Sequence, residues 1–140
     1  MQKIKSSVDL CKLLKIQNFL SECNLGFFNF SDLIPFDVKR LYYLNNIKKD
    51  VKRGQHAHIN LEQFIIVLNG SIKIQLDDGR NTKEFFLKPD NNGLYVPPGL
   101  WRDIISMEDS TCFIVLASLE FDENDYIRSY IDFEQYTKEN

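Results

Sequence analysis

Histidine is the scarcest chemistry-bearing residue in this chain, with two copies in 140 residues. Cysteine is nearly as sparse, at three: Cys11, Cys23 and Cys112. An odd number at wide spacing, with no Cys-x-x-Cys, excludes a disulfide framework and a cysteine-based zinc module. These read as buried free thiols in a reducing compartment. No apolar run approaches the ~18 residues of a membrane span, and the N-terminus has no apolar h-region of a secretory signal. The expectation is a cytoplasmic protein with no membrane partner. A net charge of −3 and a pI near 5.4 exclude a nucleic-acid binder acting through bulk charge. A small anionic ligand stays compatible, because it needs only a few local arginines. There is no repeat at solenoid periods and no low-complexity linker, so residues 1–140 are read as a single domain.

What is abundant is aromatic and apolar. Eleven Phe, six Tyr and one Trp stand in a chain that is 44% hydrophobic, which favours strands and supplies one core. Leu13 to Phe19 and Asn24 to Phe30 read as a hairpin, with a short helix as an alternative for the first ten residues. Val38 to Leu44 is a strand whose alternation puts Arg40, Tyr42 and Leu44 on one face and Leu41 and Tyr43 on the other. Asn45 to Val51 reads as a polar loop. Glu62 to Leu68 is a nearly continuous apolar run, as in a strand covered on both sides. Asn69-Gly70 is a hairpin turn, after which Ile72, Ile74 and Leu76 alternate inward. Further strands are expected at Lys83 to Leu87, Leu94 to Val96, Arg102 to Ile105 and Cys112 to Ala117. Past Ser118 the period changes, and apolar positions from Tyr126 to Phe133 predict an amphipathic helix over about 123–136, packed on the sheets. Many short strands and one terminal helix give an all-β sandwich or small barrel.

Both histidines fall in one stretch, Arg53-Gly54-Gln55-His56-Ala57-His58. Strand periodicity puts His56 and His58 on one face, roughly 7 Å apart at Cα. Such a pair suits proton transfer or metal ligation. Four residues separate His58 from Gln63, and a second block reads Gly93-x3-Pro97-Pro98-Gly99. This resembles the two-part signature of the cupin superfamily, a jelly-roll β-barrel. In its metal enzymes the first block gives two His and a Glu, and the second a third His. Here Gln63 occupies the Glu position and Arg102 the third-His position. A neutral amide and a permanent cation spoil the shell of a divalent metal, and Glu62, facing the other way on a strand, does not replace Gln63. The histidines are then left for acid–base work, one as base and its partner as acid. Two ordinary structural histidines are the alternative.

A narrower resemblance rests on more blocks. Ile34-Pro35-Phe36-x-x-Lys39-Arg40-x-Tyr42-Tyr43 leads to Arg53-Gly54-x-His56-Ala57-His58, then Leu61-Glu62-Gln63 and Leu76-Asp77-Asp78-Gly79. Gly93-Leu94-Tyr95-Val96-Pro97-Pro98-Gly99-x-Trp101, Val115-Leu116-Ala117-Ser118 and Asp122-Glu123-x-Asp125-Tyr126-Ile127-Arg128-x-Tyr130 follow. Together they are similar to the dTDP-4-keto-6-deoxyglucose 3,4-ketoisomerases, the WxcM-like sugar-nucleotide cupins. The resemblance implies a cupin jelly roll with a C-terminal helix, a homodimer, and no metal or other cofactor. It further implies an enzyme that moves the ketone of a dTDP-linked 4-keto-6-deoxyhexose from C4 to C3 through an enediol, serving 3-amino-3,6-dideoxysugars of surface polysaccharide such as O-antigen, lipopolysaccharide or S-layer glycan. It makes His58 the candidate base, His56 its acid or shuttling partner, and Tyr42 an oxyanion donor. Arg40 and Arg53 become candidates for the pyrophosphate, Gln63 for a sugar hydroxyl, Trp101 for stacking and Arg102 for a further ligand contact. The helix is given no chemical role. A sugar-nucleotide 3- or 5-epimerase and a non-catalytic sugar-binding cupin are the competing readings, and products of 3-keto-glucose or 3-keto-galactose type fit equally.

Overall fold

A computed structural model describes residues 5–140; the first four residues of the segment read as a possible short helix lie outside it. Its strands are β1 (Lys12–Lys15), β2 (Gln17–Leu20), β3 (Asn24–Phe27), β4 (Arg40–Ile47), β5 (Lys52–His58) and β6 (Gln63–Asn69). β7 (Ile72–Asp77), β8 (Thr82–Leu87), β9 (Asn92–Val96), β10 (Trp101–Ser106), β11 (Thr111–Ala117) and β12 (Tyr126–Ile127) follow. Two helices, α1 (Phe30–Leu33) and α2 (Tyr130–Glu139), complete the chain with 3-10 turns at Val8–Leu10 and Glu123–Asp125.

Two five-stranded antiparallel sheets, ordered β1-β9-β6-β11-β4 and β12-β5-β10-β7-β8, form the jelly roll; β2 and β3 pair as a hairpin, shorter than expected, because Leu13 to Lys15 join the first sheet through β9. The sheets are not hydrogen-bonded into a closed barrel. They lie face to face as a sandwich, held by inward residues such as Ile65, Val67, Ile72, Ile74, Leu76, Leu94 and Val115. These are the alternating positions of each strand, which is why period-2 patterning located them. On the far side of the first sheet, Phe28 to Val38 folds over Phe64 and Leu116. That cover explains the continuous apolar run of β6: Phe64 and Ile66 face the covering segment while Ile65 and Val67 face the core.

Two expectations need correction. The stretch 45–47 continues β4 rather than forming a loop, since Ile47 pairs with Thr111. The expected helix over 123–136 begins later, at Tyr130, with Ser129 as its cap. Before it, Tyr126 pairs with His58 and Ile127 with Ala57. Sheet pairing thus claims residues whose apolar spacing also suits a helix. α2 then lays Phe133 against Trp101, Ala57 and Ile127 on the outer face of the second sheet.

One local irregularity positions the site. The register of β5 against β10 shifts between Arg102 and Asp103, leaving Gln55 as an extra residue. Gly54 and Gln55 both take positive φ, at 85° and 58°. This β-bulge re-aims the strand before His56. A Cβ on Gly54 would lie 2.9 Å from the Arg102 carbonyl oxygen, so both conformation and space require glycine. Gly54→Ala is expected to cost ~1–3 kcal/mol, read as a lower denaturant midpoint at unchanged slope.

Candidate active site

The two sheets leave a cavity of about 550 Å³ at one end of the sandwich, within the range of small-molecule sites. Both sheets build its walls. β4 and β6 contribute Arg40, Tyr42, Leu44, Gln63 and Ile65; β5 and β10 contribute Lys52, Arg53, Gly54, Gln55, His56, Arg102 and Ile104. Phe121, Tyr126 and Arg128 close one side. Five cations line it, and no Asp or Glu does, in a chain whose net charge is −3.

His56 and His58 do share a face, their ring centroids 4.8 Å apart and their planes nearly perpendicular. His56 lies on the cavity wall, and His58 is fully buried beside it. Each is anchored through Nδ1. His56 Nδ1–H donates to the Gly54 carbonyl at 3.0 Å, and His58 Nδ1–H donates to Asp125 Oδ2 at 3.2 Å. Those bonds set the tautomer, so both Nε2 atoms carry lone pairs. The His58 Nε2 is buried with no hydrogen-bond partner among the described residues. Tyr126 packs over both rings, at 5.0 and 4.4 Å.

The electrostatics keep both rings neutral. Burial and then the Arg102 cation lower His56 to about 4. For His58 the same two causes, joined by His56 and Arg40, lower it further, to about 2. The Asp125 carboxylate pulls the other way, but it spends both oxygens on the Asn60 and Leu61 amides as well as on His58. Burial amid arginines outweighs it. One neutral and one protonated histidine were expected; both are instead held neutral, because both are buried and both lie near the Arg102 cation.

Arg102 is 1% exposed and forms no ion pair among the described residues. It donates to the Gln63 side-chain carbonyl and, at 2.9 Å, to the Leu100 carbonyl. Burial lowers it only to about 10, so it stays charged at neutral pH. With its carbonyl engaged, Gln63 turns its amide outward and donates to Tyr42 Oη at 2.8 Å. The phenol oxygen is then an acceptor in that bond, and its own proton is free for a ligand. Burial raises the Tyr42 pKa, so the proton is present at neutral pH. Arg40 stacks 5.4 Å over Tyr42 and 5.7 Å from Phe121, with its Nε buried and unpaired, as is that of Arg102.

His56, His58, Tyr42, Gln63, Arg102, Arg40 and Arg53 are therefore gathered at this end of the sandwich, with Arg53 at the exposed rim. Trp101 is not among them. One residue from Arg102 on β10, it faces the opposite side, T-stacked on Tyr130 at 5.2 Å and packed on Phe133. Strand alternation allows only one of the two to face the cavity. Asp125, Tyr126 and Arg128 enter from the segment assigned to a helix without chemical role. The signal available was the Asp125-Tyr126-Ile127-Arg128 block, whose Tyr126 and Arg128 alternate as on a strand. Glu62 points away as expected, accepting from Tyr95 Oη at 2.6 Å. The donor set fits a divalent metal poorly. Gln63 is engaged by a guanidinium that repels cations, and among the described residues no three His, Cys, Asp or Glu group as ligands.

The family model FdtA, described as WxcM-like, C-terminal, matches residues 6–138. A TDP-4-oxo-6-deoxy-alpha-D-glucose-3,4-oxoisomerase of Aneurinibacillus thermoaerophilus is 44% identical over 103 residues, 74% of this chain and 74% of that protein. The crystal structure of QdtA, a sugar 3,4-ketoisomerase from Thermoanaerobacterium thermosaccharolyticum in complex with TDP, has a TM-score of 0.87 at 36% identity, covering 95% of this chain and 98% of that one. A His-to-Asn mutant of that protein, in complex with TDP-4-keto-6-deoxyglucose, gives 0.86 at 36% identity, covering 93% and 95%.

Depressed histidine pKa values fix the sign of two pH effects. Between about pH 4 and 6.5 the unfolded chain binds protons on these histidines that the folded chain refuses, so stability is full above 6.5 and declines as pH falls. The acid limb of kcat/KM is expected at about pH 4 or below; a limb centred at the ordinary histidine value of ~6.5 contradicts the neutral pair.

Proposed function

The chain belongs to the FdtA, WxcM-like family, and we propose that it is a TDP-sugar 3,4-ketoisomerase acting on a TDP-linked 4-keto-6-deoxyhexose. The observation that carries the chemistry is the pair of Nδ1-anchored, neutral imidazoles beside a phenol whose proton is free. Moving a ketone between adjacent carbons removes a proton from C3 and from its hydroxyl and returns one to C4 and one to the C4 oxygen. No electrons leave the substrate, so no redox partner is needed.

His58 takes the C3 proton, as a base oriented by Asp125. Negative charge that develops on the C4 oxygen is met by the Tyr42 hydroxyl and by the unpaired N–H groups of Arg40 and Arg102. The enediol collapses with its proton returned at C4, and His56 moves the hydroxyl proton. Gln63 acts through Tyr42 by aiming its donor. Arg40 is assigned here to the sugar oxygens, because it lies deeper than Arg53. The product suits a following transamination to a 3-amino-3,6-dideoxysugar for surface polysaccharide. The three cysteines are free, although only Cys11 is buried as expected, and free thiols support a reducing, cytoplasmic setting.

Two experiments test this. In heavy water, the wild type is expected to convert TDP-4-keto-6-deoxyglucose to a 3-ketosugar carrying deuterium at C4, read by NMR. Exchange at C3 or C5 with the ketone still at C4 identifies an epimerase instead. His58→Asn is expected to lose roughly 10²–10⁴-fold in rate together with C3 exchange, whereas His56→Asn retains C3 exchange and loses product. The opposite pattern exchanges the two roles.

We also propose a homodimer. On the outer face of the first sheet Leu41, Tyr43 and Leu68 are 55%, 67% and 53% exposed, beyond the part that Phe28 to Val38 covers. The neighbouring β2–β3 hairpin exposes Phe19, Leu20 and Leu25. A second copy covering such a surface is the economical answer to its exposure. Tyr43→Glu is expected to shift the mass measured by light scattering from dimer to monomer.

A further inference from the structure

The charges around the cavity are sorted by depth. Arg102 is buried and Arg40 half-buried, and both face the histidines and Tyr42. Lys52, Arg53 and Arg128 are exposed at the opening. Among the described residues, Arg128 alone of the three has a side-chain hydrogen bond. Its Nε and Nη2 donate to the two oxygens of Glu123 at 2.6 and 2.9 Å, a fork-to-fork pair. Its guanidinium also lies 4.2 Å over the Tyr126 ring, and Tyr126 in turn packs on both histidines.

That pair is singular. Among the described residues it is the only ion pair between a permanent cation and a carboxylate. Both partners are more than half exposed, so in water it contributes little to stability. Glu123 does not line the cavity, whereas Arg128 does. A guanidinium fork fits two oxygens of a phosphate as well as those of a carboxylate. A dianionic group arriving at the opening meets three cations and outcompetes a single carboxylate.

We propose that Arg128 recognises the diphosphate of the nucleotide sugar, and that Glu123 is an internal counter-ion which the diphosphate displaces. This rests on the TDP-sugar reading above. Glu123 holds the empty guanidinium over Tyr126, and exchange of carboxylate for phosphate leaves that stacking intact. The rim therefore binds the charged part of the substrate while the inner arginines keep to the reacting sugar.

Calorimetric titration with TDP, alongside steady-state kinetics on TDP-4-keto-6-deoxyglucose, tests the assignment. Arg128→Gln is expected to weaken TDP by roughly 10- to 100-fold, with the loss of kcat/KM falling on KM. Arg128→Lys restores part of it, as a point charge without the fork. Glu123→Gln removes the competitor and is expected to tighten TDP by about two- to fivefold at low salt. Unaltered TDP affinity in Arg128→Gln, with the wild type binding TDP, overturns the role of Arg128 alone. Weakening by Glu123→Gln overturns the displacement. A wild type that binds no TDP overturns the nucleotide-sugar reading as well. Both residues are exposed, and thermal melts matching the wild type show that each variant is folded.

Discussion

A guanidinium buried to 1% exposure without a carboxylate partner is the constraint on which this site depends. Removing such a charge from water costs several kcal/mol, and two neutral carbonyl acceptors recover only part of it. Arg102 nonetheless dictates its surroundings. It orients the Gln63 amide, and that orientation turns Tyr42 into a proton donor toward the cavity. It also stands second only to burial in keeping His56 and His58 unprotonated. A carboxylate at position 63 would neutralise Arg102 and accept the Tyr42 proton instead. The same change would remove the donor and relieve the histidines, so the Gln-for-Glu and Arg-for-His departures from the metal-binding cupin pattern work as one unit.

The parts legible in the sequence are those governed by local period. Alternation on β4 placed Arg40, Tyr42 and Leu44 inward, and alternation on β5 placed both histidines on one face. The apolar run of β6 announced a strand covered on both sides, and the structure supplies both covers. The resemblance to ketoisomerases named the chemistry; of the residues it pointed to, Arg40, Tyr42, Arg53, His56, Gln63 and Arg102 line the cavity, His58 is buried beside it, and Trp101 lies elsewhere. That exception follows from the same rule, since Trp101 and Arg102 are neighbours on one strand and Arg102 took the inner side.

What was not legible depends on pairings distant in sequence. Asp125 reaches His58 across 67 positions, and its value as an anchor arises only because Tyr126 and Ile127 add an edge strand to β5. In isolation those residues satisfy a helical spacing as well as an extended one, and hydrogen bonding to an open sheet edge decides the matter. The bulge at Gly54 and Gln55 is similar. A glycine before a histidine announces conformational freedom, but the register shift that uses it is visible only against β10.

The depth-sorted charges bear on how two such weakly basic imidazoles become useful. A histidine held far below its ordinary pKa is a poor acceptor for a carbon-bound proton. The depression comes from burial and from cations that have no anion in the cavity. In the proposed reaction a nucleotide diphosphosugar would bring two negative charges to the opening, and a third would develop at the C4 oxygen, which we set beside Arg40 and Arg102. Each charge offsets a cation that opposes protonation of His58, and Asp125 already favours the imidazolium. Basicity therefore rises as the substrate enters and rises again as the enediolate forms. Without substrate both imidazoles stay neutral; with it, the proposed reaction would have the charge balance that proton abstraction from C3 requires.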